Sequence, residues 1–239
     1  MLANFAEDAG QLEDSESFRT FMASTASQYG FAHFTYIALR GPAQGTLPFA
    51  VSTFPDNWGE HYIAHAYVSC DPVLETAQAA FQPFDWAQCQ QHLRLTERQR
   101  TVMRRARDFG VGQGMAIPVH GPNGAFAALS FACKETPKEF QRIQRAFAGE
   151  LHAMALSFHA AIDAKLLRTR QEKAVHLTDR ERDVLSWTAR GKTSWESAEI
   201  LGVSVETINF HAKNVMRKYD VASKHQAVVK AIMAGQIVP

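Results

Sequence analysis

The sequence predicts an α+β chain: an N-terminal α/β/α sandwich built on an antiparallel sheet, followed by an all-α domain of four helices. Three observations predict it. At 239 residues the chain exceeds one typical domain and suits two. Residues 177–239 hold four helix-sized segments in succession, each with its own start signal. Residues 1–162 mix helical spacings with aromatic and β-branched runs around a turn signal. Between them, at 163–176, Lys165, Arg168, Arg170, Glu172 and Lys173 break the apolar pattern, a composition that suits a linker.

In the N-terminal part, Phe18, Phe21, Met22, Thr25 and Tyr29 recur at helical spacing over residues 15–29. Residues 31–39 read as a strand, broken by Gly41-Pro42, and residues 49–54 read as a second. Residues 56–68 are predicted as one helix, and residues 96–109 as another, entered by the capping box Thr96 to Gln99 and ended by Gly110. Residues 114–120 and 125–133 flank Gly121-Pro-Asn-Gly124, a hairpin signal. From about Pro137 a long helix carries Phe140, Ile143, Phe147, Leu151, Met154, Phe158 and Ile162 as an apolar seam. That seam fits either the core or a dimer contact.

The four C-terminal segments carry their starts in the sequence. Thr178-Asp-Arg-Glu181, Thr193-Ser-Trp-Glu196 and Ser223-Lys-His-Gln226 each match S/T-x-x-E/Q, and Ser204 is a fourth N-cap. Gly191, Gly202 and Gly235 stand where helices end. Only Gly-Val-Ser separates the second and third segments, a turn of helix-turn-helix length. In the third, Ile208, Ala212, Val215 and Tyr219 form one apolar stripe, while Asn209, Lys213 and Arg217 share another face. Asparagine can pair with adenine and lysine can donate to guanine, so this face can read base edges. Thr193, Ser194, Thr207, Lys218, Lys224 and His225 surround it as phosphate partners. Residues 209–230 carry five Lys/Arg against one acid although the whole chain has a net charge of only +1, so the positive charge is local. Double-stranded DNA is the partner these features imply.

Composition narrows the alternatives. No apolar run approaches the ~20 residues of a membrane span, so no membrane partner is expected. The N-terminus, with Glu7 and Asp8 and no basic region before an apolar stretch, does not read as a signal peptide. Cys70, Cys89 and Cys133 lie far apart with no C-x-x-C, and read as reduced thiols in a cytoplasmic protein. The five arginines from Arg98 to Arg107 read as a solvated helix face. No cofactor or metal is expected.

Trp58, Tyr62, Asp71-Pro72, Trp86 and Gly114 stand in an order and spacing that resemble the autoinducer-binding domain of LuxR-type quorum-sensing regulators. Glu181, Leu185 and the segment Gly191-Lys-Thr-Ser-Trp-Glu196 resemble that family's DNA-binding domain, so the likeness covers nearly the whole chain. The resemblance implies a buried N-acyl-homoserine lactone over residues 1–162 and a homodimer on an inverted-repeat DNA site through residues 177–239. It implies roles as well. Trp58 would donate its indole N–H to the lactone carbonyl, and Asp71 would accept from the ligand amide. Tyr62 would donate to the acyl carbonyl, with Ser130 nearby. Trp86 and Phe84 would wall the ring, and Gly114 would permit close backbone approach. The chain departs at Phe54, where some members place tyrosine, and Val73 offers no hydroxyl.

Two other readings stay open from the residues. One keeps the DNA reader but gives it a different small molecule, or none. The other is a lactone-hydrolysing enzyme using His61 and His65 at i and i+4, but the glutamate of H-E-x-x-H, a third ligand and G-x-S-x-G are all absent. A regulator rather than an enzyme is the expectation.

Overall fold

Period-two alternation decides how the sheet divides its side chains. In strand β1 (His33–Ala38), Phe34, Tyr36 and Ala38 point to one face and Thr35 and Ile37 to the other. The structure, a computed structural model, describes residues 2–39, 48–92, 94–121, 125–167 and 175–237. The described residues fall into two units, those up to Leu167 in one and those from Val175 in the other.

The first unit is an α/β/α sandwich. Its sheet adds β2 (Phe49–Ser52), β3 (Phe84–Asp85), β4 (Gly114–His120) and β5 (Phe126–Ala132), in the order β2-β1-β5-β4-β3 and antiparallel throughout. On one face lie α1 (Leu2–Gly10), α2 (Ser15–Gln28) and α7 (Pro137–Ile162). There Met115, Ile117, Leu129 and Phe131 pack with Phe34 and Tyr36 against the seam of α7, Phe158 meeting Phe18 edge-on at 5.6 Å. The seam therefore packs into the core, with Phe147 only partly buried against it. On the other face are α3 (Asp56–Ala64), α4 (Pro72–Ala79), α5 (Trp86–His92) and α6 (Glu97–Asp108).

Several elements differ from the sequence expectation. Residues 56–68 do not form one helix: α3 ends at Ala64, Ala66 takes a left-handed φ of 49°, and a short 3-10 turn follows at Tyr67–Ser69. That break lets the chain turn so that Asp71 can start α4. The predicted linker begins late, because Asp163–Leu167 continues α7 as a π-helical turn with Leu167 buried. Residues 168–174 and the hairpin turn at 122–124 lie outside the described residues. Helix α1, for which the sequence offered no start signal, buries Phe5 and Ala9, one turn apart.

The second unit comprises α8 (Asp179–Ala189), α9 (Ser194–Leu201), α10 (Val205–Lys218) and α11 (Lys224–Met233). Thr178, Thr193, Ser204 and Ser223 are N-caps, three of them in reciprocal capping boxes. Gly202 takes φ 65° at the α9–α10 turn, a conformation that costs other residues energy. Ile208, Ala212, Val215 and Tyr219 form the buried stripe of α10. Among the described residues no helix is long and apolar enough to cross a membrane.

Candidate ligand cavity and DNA-facing surface

Between the sheet and α3–α6 lies a cavity of about 340 Å³, within the range of small-molecule sites. Phe54, Trp58, Tyr62, Asp71, Val73, Trp86 and Ser130 all line it. Local structure explains their convergence. Trp58 and Tyr62 sit one turn apart on α3, their rings 5.6 Å apart and edge-on. Asp71 is the N-cap of α4, its Oδ1 accepting from the Val73 N–H at 2.8 Å, while Pro72 takes the first helical position. Its Oδ2 accepts from the Tyr62 hydroxyl at 2.8 Å.

Burial pushes the Asp71 carboxyl above its ordinary range, against the opposing pull of hydrogen bonds from Tyr62 and the Val73 and Leu74 N–H groups. Burial and the facing carboxylate raise the Tyr62 phenol, which keeps its proton. That single proton goes to Asp71, so Tyr62 can donate to an acyl carbonyl only by releasing the carboxylate. The Trp58 indole N–H has no partner among the described residues, and the Trp86 Nε1 is buried without one. The Trp58 indole donor thus stands ready for an acceptor, whereas the Trp86 Nε1 is sealed within the packing.

Phe84 and Gly114 do not line the cavity; they shape it from behind. Phe84 is buried in β3 opposite Ala116. A Cβ on Gly114 would come within 2.2 Å of the Phe131 carbonyl oxygen and 2.7 Å of the Trp86 ring, so only glycine lets that ring lie against β4. The wall also contains Thr35, Ser52, Met103, Ala106, Val111 and Gly112, none of which the sequence had singled out. Thr35 pairs with Ser52 on one side and Ser130 on the other, giving a row of three hydroxyls across adjacent strands. Ser52 is satisfied by the Phe34 carbonyl and Phe54 N–H; Thr35 and Ser130 have no side-chain partner among the described residues. The signal for Thr35 was available, as a polar residue alternating with Phe34 and Tyr36. The rings of His61 on α3 and His65 at its C-cap, weighed above as metal ligands, lie tilted with centroids 4.0 Å apart.

In the second unit, Asn209, Lys213 and Arg217 are exposed along α10. Arg217 donates to Asn214 at 3.2 Å, and the Asn209 Oδ1 accepts from Ser194 at 3.0 Å. Lys224 donates to the same Ser194 hydroxyl at 2.8 Å. Thr193 caps α9, the Thr207 N–H is held by Ser204, and His225 is exposed at the start of α11. Lys218 is placed differently from the sequence expectation. Its ammonium donates to the nearly buried Glu181 at 2.6 Å and to the His176 carbonyl at 2.8 Å, tying α10 to the start of α8. Burial works against the Glu181 charge, yet Lys218 and Thr178 hold its carboxyl below the usual range.

Residues 14–162 match the autoinducer binding domain, and residues 175–231 match the luxR family of bacterial regulatory proteins. The chain belongs to the LuxR family. It is 32% identical over 219 residues to the transcriptional activator SolR of Ralstonia nicotianae, covering 90% of each chain. With the activator AnoR of Acinetobacter nosocomialis it shares 31% over 216 residues, 89% of this chain and 88% of that one. A regulator of Sinorhizobium fredii, y4qH, is 33% identical over 187 residues, but this chain spans only 56% of its length. Among solved structures, SdiA of Escherichia coli superposes with a TM-score of 0.77 at 24% identity, over 100% of this chain and 98% of that one. The complex of SdiA with octanoyl-rac-glycerol gives 0.78 at 24% identity, over 100% and 96%. At that identity the likeness speaks to fold. This LuxR-family chain is a quorum-sensing transcriptional regulator with an autoinducer-binding and a helix-turn-helix DNA-binding domain, and its relatives are transcriptional activators rather than enzymes.

Proposed function

We propose that this LuxR-family regulator takes an N-acyl-homoserine lactone into the cavity through residues 1–162 and, as a cytoplasmic homodimer, binds an inverted-repeat DNA site through residues 177–239. The observation that carries the ligand reading is the pairing of an unsatisfied donor with a buried acceptor in an apolar cavity. The Trp58 N–H would meet a ligand carbonyl, and the Asp71 carboxylate a ligand amide N–H. An acyl-homoserine lactone carries both, with a hydrocarbon tail for Ile37, Leu74 and Val102. The Thr35 and Ser130 hydroxyls serve the acyl carbonyl in place of Tyr62. Trp86 and Phe54, edge-on at 6.4 Å, close over the ring.

Ligand and fold then stabilise each other by mass action, about 2.7 kcal/mol at 100 times the dissociation constant. On the DNA side, Asn209, Lys213 and Arg217 would reach base edges, with Thr193, Thr207 and His225 toward phosphates, while Ser194 and Lys224 bond to each other beside Asn209. Exposed Val229 and Met233 on α11 give a dimer an apolar contact, which would set two α10 helices about 34–36 Å apart along the duplex. The test is thermal stability and soluble yield of the full chain against lactones of different acyl length and 3-oxo substitution. Octanoylglycerol, which lacks an amide N–H, serves as the control. A concentration-dependent rise with lactones but not with the control supports the reading. No rise with any lactone, in folded and ligand-free protein, moves the sensor to a different small molecule.

A further inference from the structure

We infer that Lys224 and Ser194 are positioning residues for base recognition: together they fix which end of the Asn209 amide faces the DNA groove. The inference rests on the reading of α10 as the groove-facing helix. Its basis is the number of protons along one chain of hydrogen bonds. Lys224 Nζ lies 2.8 Å from Ser194 Oγ, and Ser194 Oγ lies 3.0 Å from Asn209 Oδ1. An ammonium carries donors and no acceptor, so the Ser194 oxygen must accept from Lys224. The hydroxyl is left with one proton, and Asn209 is its other partner. In the structure that proton goes to the Asn209 Oδ1, which turns the amide oxygen toward Ser194 and the NH₂ away; the reversed amide would use both Ser194 lone pairs and leave its proton without this acceptor. The orientation of an asparagine amide is otherwise free to flip; here the lysine charge two links away decides it.

The three residues come from three helices. Ser194 opens α9, Asn209 lies in the first half of α10, and Lys224 opens α11. Ser194 is itself held in place, because the neighbouring Thr193 caps α9 in a reciprocal box with Glu196. Asn209 is exposed, whereas the Lys224–Ser194 contact is half-buried. A base therefore meets an amide whose donor end is presented first. Purine N7, guanine O6 and thymine O4 accept from it, while the amino group of cytosine opposes it. One lone pair of the Asn209 oxygen is already taken by Ser194, which weakens the paired contact with adenine that asparagine otherwise makes.

The experiment is selection of binding sites from randomised duplex DNA by the full chain, purified in the presence of butanoyl-, octanoyl- and dodecanoyl-homoserine lactones. Asn209→Ala marks the base position that Asn209 reads. In Lys224→Met the Ser194 oxygen no longer accepts from a cation, so accepting from the Asn209 NH₂ competes with donating to its oxygen and the amide can flip. Base preference at that one position then falls by about tenfold, with other positions and the salt dependence of binding unchanged. Ser194→Ala cuts the chain from its other end and gives the same local relaxation, and Lys224→Arg, a donor-only cation, keeps the preference. A uniform loss of affinity over all sequences in Lys224→Met, with the log–log salt slope smaller by about 0.9, overturns the inference and makes Lys224 a phosphate contact. Unchanged selection in both Lys224→Met and Ser194→Ala overturns it as well. If the wild-type chain selects no site at all, the groove-facing reading fails first and takes the inference with it.

Discussion

Asp71→Ala removes two bonds that the protein makes without any ligand. Oδ1 caps α4 through the Val73 N–H, and Oδ2 accepts the Tyr62 proton, both at 2.8 Å. Losing the cap costs about 1 kcal/mol. Stranding the buried Tyr62 hydroxyl costs about 1–3 kcal/mol more. Against a folding free energy of about 5–15 kcal/mol, the alanine chain is markedly less stable before a ligand is added. Asp71→Asn separates the roles. Asparagine caps as well as aspartate, and its NH₂ can donate to the Tyr62 oxygen, so the fold loses little. It offers that NH₂, not an acceptor, where a ligand amide would donate. A hydrogen bond to a charged group is worth about 1.5–3 kcal/mol, which weakens the dissociation constant by about 10- to 150-fold. Thermal unfolding of both variants without ligand, then calorimetric titration of the asparagine chain with N-octanoyl-homoserine lactone, reads each part. An asparagine variant that binds as tightly as wild type refutes the role of Asp71 as the amide acceptor.

Three further outcomes follow from the same geometry. Gly114→Ala would force a methyl within 2.2 Å of the Phe131 carbonyl oxygen, lowering stability by about 1–3 kcal/mol; an unmoved unfolding midpoint would show that β4 yields easily. Lactone affinity should fall on acidification through the Asp71 pKa, which burial holds above the usual carboxylate range. The sign follows because the ionised form accepts the ligand amide, so binding expels a proton, and stepped-pH titration should find no such fall in Asp71→Asn. Lys218→Ala strands Glu181, at 3% exposure, and should cost the C-terminal domain about 1–3 kcal/mol by thermal unfolding. The salt dependence of DNA binding should stay as it was, and a slope smaller by about 0.9 would return Lys218 to the phosphates.

What the sequence disclosed was mostly chemistry between near neighbours. Thr96, Thr178, Thr193 and Ser223 make the capping boxes their i and i+3 residues announce, because capping needs only one turn of chain. The stripe of α10 and the seam of α7 were legible from periodicity alone. The turn at Ala66 was not, since alanine carries no bias toward φ 49° and the fold imposes it. Strand β3, two residues long, is too short for any pattern. Thr35 and Ser52 entered the cavity wall through strand register, which brings together residues 17 positions apart. Lys218 and Glu181 are separated by 37 positions, and Lys224 and Ser194 by 30, so their pairings are properties of helix packing. Residue type gave each of these lysines a positive charge; only the tertiary arrangement says what that charge does.

The two faces of the sheet differ in a way that bears on time. Phe34, Tyr36, Met115, Ile117 and Leu129 are fully buried against α1, α2 and α7, while the cavity lies wholly on the side of α3–α6. Side chains that border a cavity have no packing partner on that side, which lowers the cost of local opening. Sparsely packed regions can therefore open without global unfolding. The strands are anchored from the close-packed side, so α3–α6 can lift while the sheet stays assembled. Uptake and release of a small molecule through such lifting would follow its kinetics, set by how firmly Trp58, Val73, Leu74 and Val102 hold these helices to the sheet, and not those of refolding. How quickly the regulator forgets a withdrawn signal would then depend on how four short helices hold to the sheet.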